Sequence, residues 1–131
     1  MTDGDVTKGL TLDTGALLAL ERGDSRVRAL LRRALEHQLA LAVPAGAVAQ
    51  AWRGGPRQAR VARLLGDPAV EVPSLDDTTA RAVGLLCGRT GHPDIVDVHV
   101  ALHARAHDQT VVTSDPDDLR AIDSRLPLVA I

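Results

Sequence analysis

Aromatic residues are nearly absent from this chain: its 131 residues include no phenylalanine, no tyrosine and a single tryptophan, Trp52. Proteins that bind single-stranded nucleic acid by stacking the bases depend on aromatic side chains, so that class is disfavoured. Apolar residues still make up 45% of the chain, which is enough for an aliphatic core. The length is that of one domain.

Cysteine is equally scarce. Cys87 stands alone, which excludes an internal disulfide and fits a reducing compartment. The sequence has no apolar run of roughly 18 residues, and its N-terminus lacks a basic segment followed by an apolar one. We therefore expect a soluble, cytoplasmic protein without membrane contact.

Charged residues of two kinds are also rare. Lys8 is the only lysine beside 14 arginines, and 3 glutamates stand against 14 aspartates. The formal net charge of -2 excludes a global basic field that would attract polynucleotides. Since glutamate is the better helix former, the excess of aspartate indicates turns, helix caps and metal ligands.

Apolar runs of strand length alternate with helical patterns along the chain. We predict strands at 9–13, 39–43, 70–72, 110–113 and 128–131, and helices at 15–22, 25–37, 44–53, 57–65, 76–90, 92–108 and 116–122. This alternation predicts an α/β fold with a mostly parallel sheet and helices on both faces. Residues 1–8 are predicted to be a flexible tail, and residues 9–131 a single domain.

Aspartates occupy the edge of the predicted sheet where ligands bind, beyond the carboxyl ends of the strands. Asp13 closes the first strand, and Asp115 follows the fourth. Asp94 and Asp97, three residues apart, share one face at the start of the helix that leads into the fourth strand. Crowded carboxylates repel one another, so a divalent cation is the natural partner, and hard oxygen ligands suit Mg²⁺ or Mn²⁺.

Each aspartate taken alone also has a structural explanation. Asp13 and Asp115 are both suited to cap the helices that follow them, the second with Pro116 in the first turn. Asp94 would be favourable at a helix N-terminus for its charge alone. Asp97 is harder to explain in this way, because it lies in an apolar stretch.

Taken together, these motifs resemble the PIN-domain nucleases from Gly9 to Ile131, and most closely the VapC toxins of toxin–antitoxin pairs. The resemblance rests on four features that follow one another along the chain. The first is a strand that ends in Asp-Thr, and the second is an apolar strand followed by a proline and a helix with a polar residue. The third is an aspartate on a later helix, and the fourth is the segment Thr-Ser-Asp. It implies a three-layer α/β/α fold with strand order 3-2-1-4-5, and a cytoplasmic endoribonuclease that uses Mg²⁺ or Mn²⁺. It also implies an RNA substrate, an antitoxin partner and a homodimer.

The resemblance transfers specific roles to residues of this chain. Asp13, Asp97 and Asp115 become the metal ligands, and Asp94 an auxiliary acid at the rim. Either Thr113 or Ser114 would supply a hydroxyl that orients phosphate or water. The chain departs from the family at Gln50, where a glutamate is usual. An amide brings no charge and cannot act as a base, so the alternative is a weak or inactive PIN-like module that binds RNA or protein.

Two further groups of residues have open interpretations. Arginines near the helix predicted at 44–53 form a basic stripe. This stripe is either a solvated helix face or a guide for RNA phosphates, and the guiding residues would be Arg53, Arg57 and Arg60. Three histidines, His99, His103 and His107, share one helix face and predict packing or an interface, which could serve a homodimer. Trp52 is expected to be a core or interface anchor, and the Arg57–Leu65 helix near it is the predicted platform for an antitoxin.

Two other enzyme classes place acids at the same edge of a similar sheet. A receiver domain needs a lysine after its penultimate strand, and Lys8 precedes the first strand. A phosphatase of the haloacid dehalogenase type needs a second aspartate two residues after the first, where this chain has Gly15. Both classes are therefore excluded by residue identity.

Overall fold

The computed structural model of the protein describes residues 8–131. Their elements, in chain order, are β1 (Gly9–Leu12), α1 (Thr14–Glu21), α2 (Ser25–Glu36), β2 (Ala40–Ala42), α3 (Ala45–Ala51), a 3₁₀ turn (Pro56–Gln58), α4 (Ala59–Leu65), β3 (Val70–Glu71), α5 (Asp77–Thr90), α6 (Ile95–His107), β4 (Thr110–Thr113), α7 (Pro116–Ile122) and β5 (Leu128–Ala130). The predicted tail lies outside the described residues except for Lys8, whose backbone N–H donates to the carbonyl of Asp108 at 2.9 Å.

The strands form one sheet in the order β3-β2-β1-β4-β5, and every neighbouring pair is parallel. The predicted three-layer α/β/α architecture and strand order are confirmed. The chain winds outward from β1 to β3 and then crosses to β4 on the other side of β1. The switch point, where open α/β sheets bind ligands, therefore lies between β1 and β4.

Two apolar clusters cover the two faces of this sheet. One joins α1 to α4 with β1 and β2, and the other joins α5, α6 and α7. Successive residues of a strand point to opposite faces, and in β4 Val112 belongs to the first cluster while Val111 belongs to the second. The aliphatic composition thus supplies both cores without an aromatic side chain.

The start of α6 differs from its prediction. A helix from His92 opened by Pro93 was expected, but α6 begins at Ile95 and Asp94 is its N-cap. The Asp94 carboxylate accepts from the backbone N–H groups of Val96 and Asp97, at 2.9 and 3.1 Å. Side-chain capping of this kind satisfies amides that a helix end would otherwise leave free, and so it fixes the starting point.

Smaller differences concern other helix and strand ends. The predicted helix at 57–65 divides into the 3₁₀ turn and α4, and the helix predicted to reach Arg53 ends at Ala51.

Among residues 8–131, none of the helices combines the length and the apolar character that a membrane crossing requires.

Candidate active site

The carboxyl ends of β1 and β4 bring Asp13 and the Thr113–Asp115 segment to one edge of the sheet. Leu12 is in register with Val112, and the backbone N–H of Asp13 donates to the Val112 carbonyl at 3.3 Å. Gly15 lets the two segments approach, because a Cβ at this position would lie only 1.9 Å from the Ser114 hydroxyl oxygen. Asp13, Thr113 and Ser114, three residues of the predicted site, are therefore neighbours.

Asp13 is both a helix cap and a buried acid. Its side chain is only 4% exposed and accepts from the Ala16 N–H at 2.8 Å, which caps α1. Burial raises the pKa of Asp13, while hydrogen bonding with Thr113 and with backbone amides partly opposes that shift. The cap that the sequence suggested for Asp13 is therefore present, and the role of its carboxylate as a metal ligand stays a prediction.

Asp97 lies in the first turn of α6 and is partly buried. Burial, together with the nearby charges of Asp94 and Asp13, raises its pKa to about 6, and the charge of Asp118 contributes to a smaller extent. The charge of His92 acts in the opposite direction. An acid with such neighbours is poorly accommodated as an anion unless a cation accompanies it.

Asp115 is exposed at the start of α7, and its backbone N–H donates to the Thr113 hydroxyl at 2.8 Å. Hydrogen bonding with the Asp118 side chain raises the pKa of Asp115, and the charges of Asp118 and Asp13 add to this shift. The side chain of Asp115 makes no capping bond to α7. Asp115 is thus the N-cap residue of α7, with Pro116 in the first turn as predicted, but its carboxylate is not used for capping.

Two residues of the cluster were missed by the sequence analysis. One ligand atom each of His92, Asp97 and Asp118 lies within 4.8 Å of the other two. Asp118 was not assigned to the predicted site, although its position three residues after Asp115 at the start of α7 puts the two side chains on one side of that helix. His92 carried no comparable signal. We call Asp13, Asp97, Asp115 and Asp118 the acid cluster.

Gln50, the residue at which the chain departs from its family, is exposed at the end of α3. Its side-chain oxygen accepts a hydrogen bond of 2.5 Å from the hydroxyl of Thr14, the residue that follows Asp13. Gln50 is therefore held against Thr14, the sequence neighbour of Asp13, and brings no charge to this position.

The arginines of the predicted stripe divide between two surfaces. Arg53 and Arg57 line an open cavity together with Gln50. Buried Gln58 shapes its wall by accepting from the N–H groups of Arg53 and Gly54, at 2.8 and 2.9 Å. Arg60 lies elsewhere: its guanidinium donates to the Glu21 carbonyl at 3.2 Å and lines a different groove.

The three histidines of α6 mostly pack inside the chain. His99 and His103 are 3% and 7% exposed, and burial is the main cause that lowers the pKa of both, to about 4 for His103. The rings of His103 and His107 stack with centroids 4.0 Å apart. Packing is thus confirmed for His99 and His103, which leaves them unavailable as a dimer face. Trp52, in contrast, is 40% exposed.

The donor set of the acid cluster fits a divalent cation. Carboxylate oxygens are the ligands that Mg²⁺ and Mn²⁺ prefer, and a cation would relieve the repulsion that raises the pKa values of Asp97 and Asp115. No covalent nucleophile with an activating base is evident among these side chains. The arrangement is suited to metal-assisted hydrolysis of a phosphate ester.

The PIN domain model matches residues 10–124, and the chain belongs to this family, whose members are generally nucleases that use divalent metals. No curated protein matches the chain significantly.

Solved structures with the same fold include the following three. VapBC2 from Rickettsia felis, bound to a DNA fragment from its promoter, has 17% identity over 94% of this chain and 98% of that chain, with a TM-score of 0.69. FitAB bound to an IR36 DNA fragment has 17% identity over 92% and 94%, with a TM-score of 0.63. FitAcB from Neisseria gonorrhoeae has 20% identity over 91% and 95%, with a TM-score of 0.60.

Proposed function

We propose that this protein is an Mg²⁺- or Mn²⁺-dependent endoribonuclease and the toxin of a toxin–antitoxin pair. The observation that carries this proposal is the position of Asp97. One of its oxygens lies within 4.8 Å of ligand atoms of His92 and Asp118, and burial together with the charges of Asp94 and Asp13 raises its pKa to about 6. Without a bound cation, repulsion between these carboxylates lowers the free energy of unfolding. RNA as substrate is supported by the resemblance of the sequence motifs to VapC toxins.

In the proposed mechanism Asp13, Asp97 and Asp115 would hold the cation, with Asp118 beside them. When bound, a divalent ion would supply activation of the attacking water and neutralisation of charge on the phosphoryl oxygens. The hydroxyl of Ser114, which lies against Gly15, is free to orient phosphate or water. The Thr113 hydroxyl is less available, since it accepts from the N–H of Asp115 and interacts with Asp13. The carboxylate of Asp94 accepts the hydrogen bonds that cap α6, so its proposed role is to position Asp97.

Arg53 and Arg57 are proposed to guide the RNA backbone. They line the open cavity next to Gln50, which is held against Thr14, the sequence neighbour of Asp13, and guanidinium groups pair well with phosphates. Arg60 remains a predicted RNA contact on sequence grounds only, because its guanidinium is bonded to Glu21 and lines another groove.

An inert module that binds RNA or protein is the alternative, and Gln50 is the feature that favours it. The amide oxygen already accepts from Thr14, so it contributes neither charge nor a base. Purified protein that binds RNA but fails to cleave it with either Mg²⁺ or Mn²⁺ would identify this alternative.

Substitution of Gln50 by glutamate tests the departure from the family. Gln50→Glu is expected to tighten Mn²⁺ binding by roughly tenfold and to preserve or raise the cleavage rate, because the carboxylate that is usual in the family is restored. Titration calorimetry with Mn²⁺ measures the affinity. Gln50→Met, which keeps the size without charge, serves as control. An unchanged Mn²⁺ affinity in Gln50→Glu would mean that residue 50 does not face the metal.

The partner is proposed to be an antitoxin, in line with the two-component names FitAB and VapBC2 of the structural neighbours. The predicted platform on α4 forms one side of a groove with α2. Its floor consists of leucines, namely Leu20, Leu31, Leu35 and Leu64. Four arginines and a single acid also line it, namely Arg28, Arg32, Arg60, Arg63 and Asp67. Apolar and basic groups together fit an amphipathic helix that carries acidic residues.

Trp52 does not line this groove. The homodimer remains a prediction without an assigned face.

Expression of the protein alone is expected to slow the growth of the host, and the small gene adjacent to it is expected to restore growth through a stable complex. The double variant Arg28→Glu/Arg32→Glu should weaken that complex at least tenfold, because two attractive contacts become repulsive. Arg26→Glu/Arg33→Glu is the matched control, since these exposed arginines of α2 do not line the groove. Binding is measured by calorimetry on purified proteins.

Equal losses of affinity in the two double variants would contradict the choice of groove. Harmless expression of soluble protein that binds metal would count against a toxin and favour the inert module.

A further inference from the structure

The turn between α5 and α6 holds a histidine beside the acid cluster. Gly91 ends α5 with a φ of +72°, and Asp94 caps α6, so His92 and Pro93 are held between two defined helix ends. The backbone N–H of His92 donates to the Thr90 hydroxyl oxygen at 3.3 Å, and the hydroxyl of Thr90 in turn donates to the Leu86 carbonyl at 2.8 Å. His92 is therefore positioned by its neighbours and is partly buried.

The ring of His92 is close to two carboxylates. A nitrogen of His92 and one oxygen each of Asp97 and Asp118 lie within 4.8 Å of one another. Two donors bonded to one ion at about 2.0–2.2 Å can be at most roughly 4.4 Å apart, so small side-chain rotations would place all three on a single ion. Among residues 8–131, the ring of His92 accepts one hydrogen bond, from the Asp94 N–H to Nδ1 at 3.4 Å, and a bond of this length is weak.

We propose that His92 is a direct ligand of the divalent cation, together with Asp97 and Asp118, and that it makes the site selective for Mn²⁺ over Mg²⁺. This proposal rests on the metal-dependent function proposed above. It adds a nitrogen donor, and Asp118, to the aspartates that the family resemblance assigned. Mg²⁺ favours oxygen donors and keeps much of its water, whereas an imidazole nitrogen binds transition ions more strongly.

The competing explanation is that His92 acts only through positive charge beside Asp97. The two roles have opposite consequences for the cation. Loss of a positive charge would tighten Mn²⁺ and Mg²⁺ binding together. Loss of a nitrogen ligand would weaken Mn²⁺ binding and leave Mg²⁺ binding nearly unchanged. The ratio of the two affinities therefore separates the roles.

The experiment measures metal binding in the absence of RNA. Free Mn²⁺ is quantified by its electron paramagnetic resonance signal in titrations of the full-length protein, and Mg²⁺ is measured by competition against Mn²⁺. His92→Ala is expected to raise the Kd for Mn²⁺ at least tenfold and to change the Kd for Mg²⁺ less than twofold. His92→Asp should lower the Mn²⁺ preference by restoring an oxygen donor. His37→Ala is the control, because His37 is exposed at the end of α2.

An Mn²⁺ affinity unchanged within twofold in His92→Ala, or equal changes for both ions, would overturn the proposal. If His92→Ala fails to fold, His92→Leu provides the same comparison, because leucine also offers no donor atom. Failure of this inference is distinct from failure of the proposed function. A nuclease whose affinity ratio is insensitive to His92 refutes only the ligand, whereas a protein that binds Mn²⁺ through His92 without cleaving RNA refutes only the nuclease. Wild-type protein that binds neither ion refutes both.

Discussion

Replacement of Asp97 by asparagine is expected to abolish divalent-dependent RNA cleavage and to stabilise the metal-free protein at pH 7. Asparagine preserves the size of the side chain but removes the charge. Burial and the charges of Asp94 and Asp13 raise the pKa of Asp97 from 3.8 to about 6. The folded state therefore binds this proton more tightly than the unfolded state does, and the ionised form opposes folding.

The sign of the pH dependence follows from this shift. The stability that protonated Asp97 contributes is fully present below pH 4 and is lost as the pH rises through about 6. The melting temperatures of metal-free wild type and Asp97→Asn should therefore be similar near pH 4, and the variant should become the more stable protein by pH 7. His103, whose pKa is lowered to about 4, acts in the opposite direction but is common to both proteins.

Thermal unfolding of both proteins in the presence of a chelator, at several pH values from 4 to 7.5, measures this difference. Saturating Mn²⁺ should then stabilise the wild type and leave Asp97→Asn nearly unchanged, because only binding to the folded state raises stability. A gap that stays constant with pH would contradict the placement of Asp97 among the other acids.

Asp13→Asn is expected to lower the cleavage rate at least about 100-fold without lowering the melting temperature. The oxygen of asparagine can still accept from the Ala16 N–H and cap α1, while the charge that faces the cation is lost. Asp13→Ala should lose both the activity and the cap, at a cost of about 1 kcal/mol in the free energy of unfolding. Cleavage assays and thermal unfolding of the two variants separate the two roles.

Asp24→Asn is the matched control for Asp13→Asn. Asp24 caps α2 through the N–H groups of Arg26 and Val27 but takes no part in the acid cluster. Its asparagine variant should keep both the activity and the melting temperature. A melting temperature many degrees lower in Asp13→Asn than in Asp24→Asn would make Asp13 a structural cap instead.

The strand order and the layered architecture followed from local pattern together with the family resemblance. Short apolar runs separated by helical patterns indicate a mostly parallel sheet, and the resemblance supplied the strand order that places β4 beside β1. Since the carboxyl ends of neighbouring parallel strands lie at one edge of the sheet, Asp13 and Thr113 could then be expected to lie close together.

The parts that were missed depend on side-chain geometry between elements. Asp94 caps α6, so the helix starts at Ile95, three residues later than the predicted start at His92. His92 and Asp118 lie 26 positions apart and meet only because the turn before α6 packs near α7. The arginines with helical spacing appeared to share one surface, yet Arg60 turns toward Glu21 while Arg57 faces the cavity beside Gln50. None of these three results could be predicted from the spacing of residues along the chain.

Cleavage of a fluorescent single-stranded RNA by purified protein tests the central claim most directly. Wild-type protein should cleave it with Mn²⁺ or Mg²⁺ and stop when a chelator is added. Asp97→Asn, purified identically and folded by its thermal transition, should be inactive with either ion. Cleavage that persists in the chelator, or equal cleavage by Asp97→Asn, would contradict a metal centre built on the acid cluster.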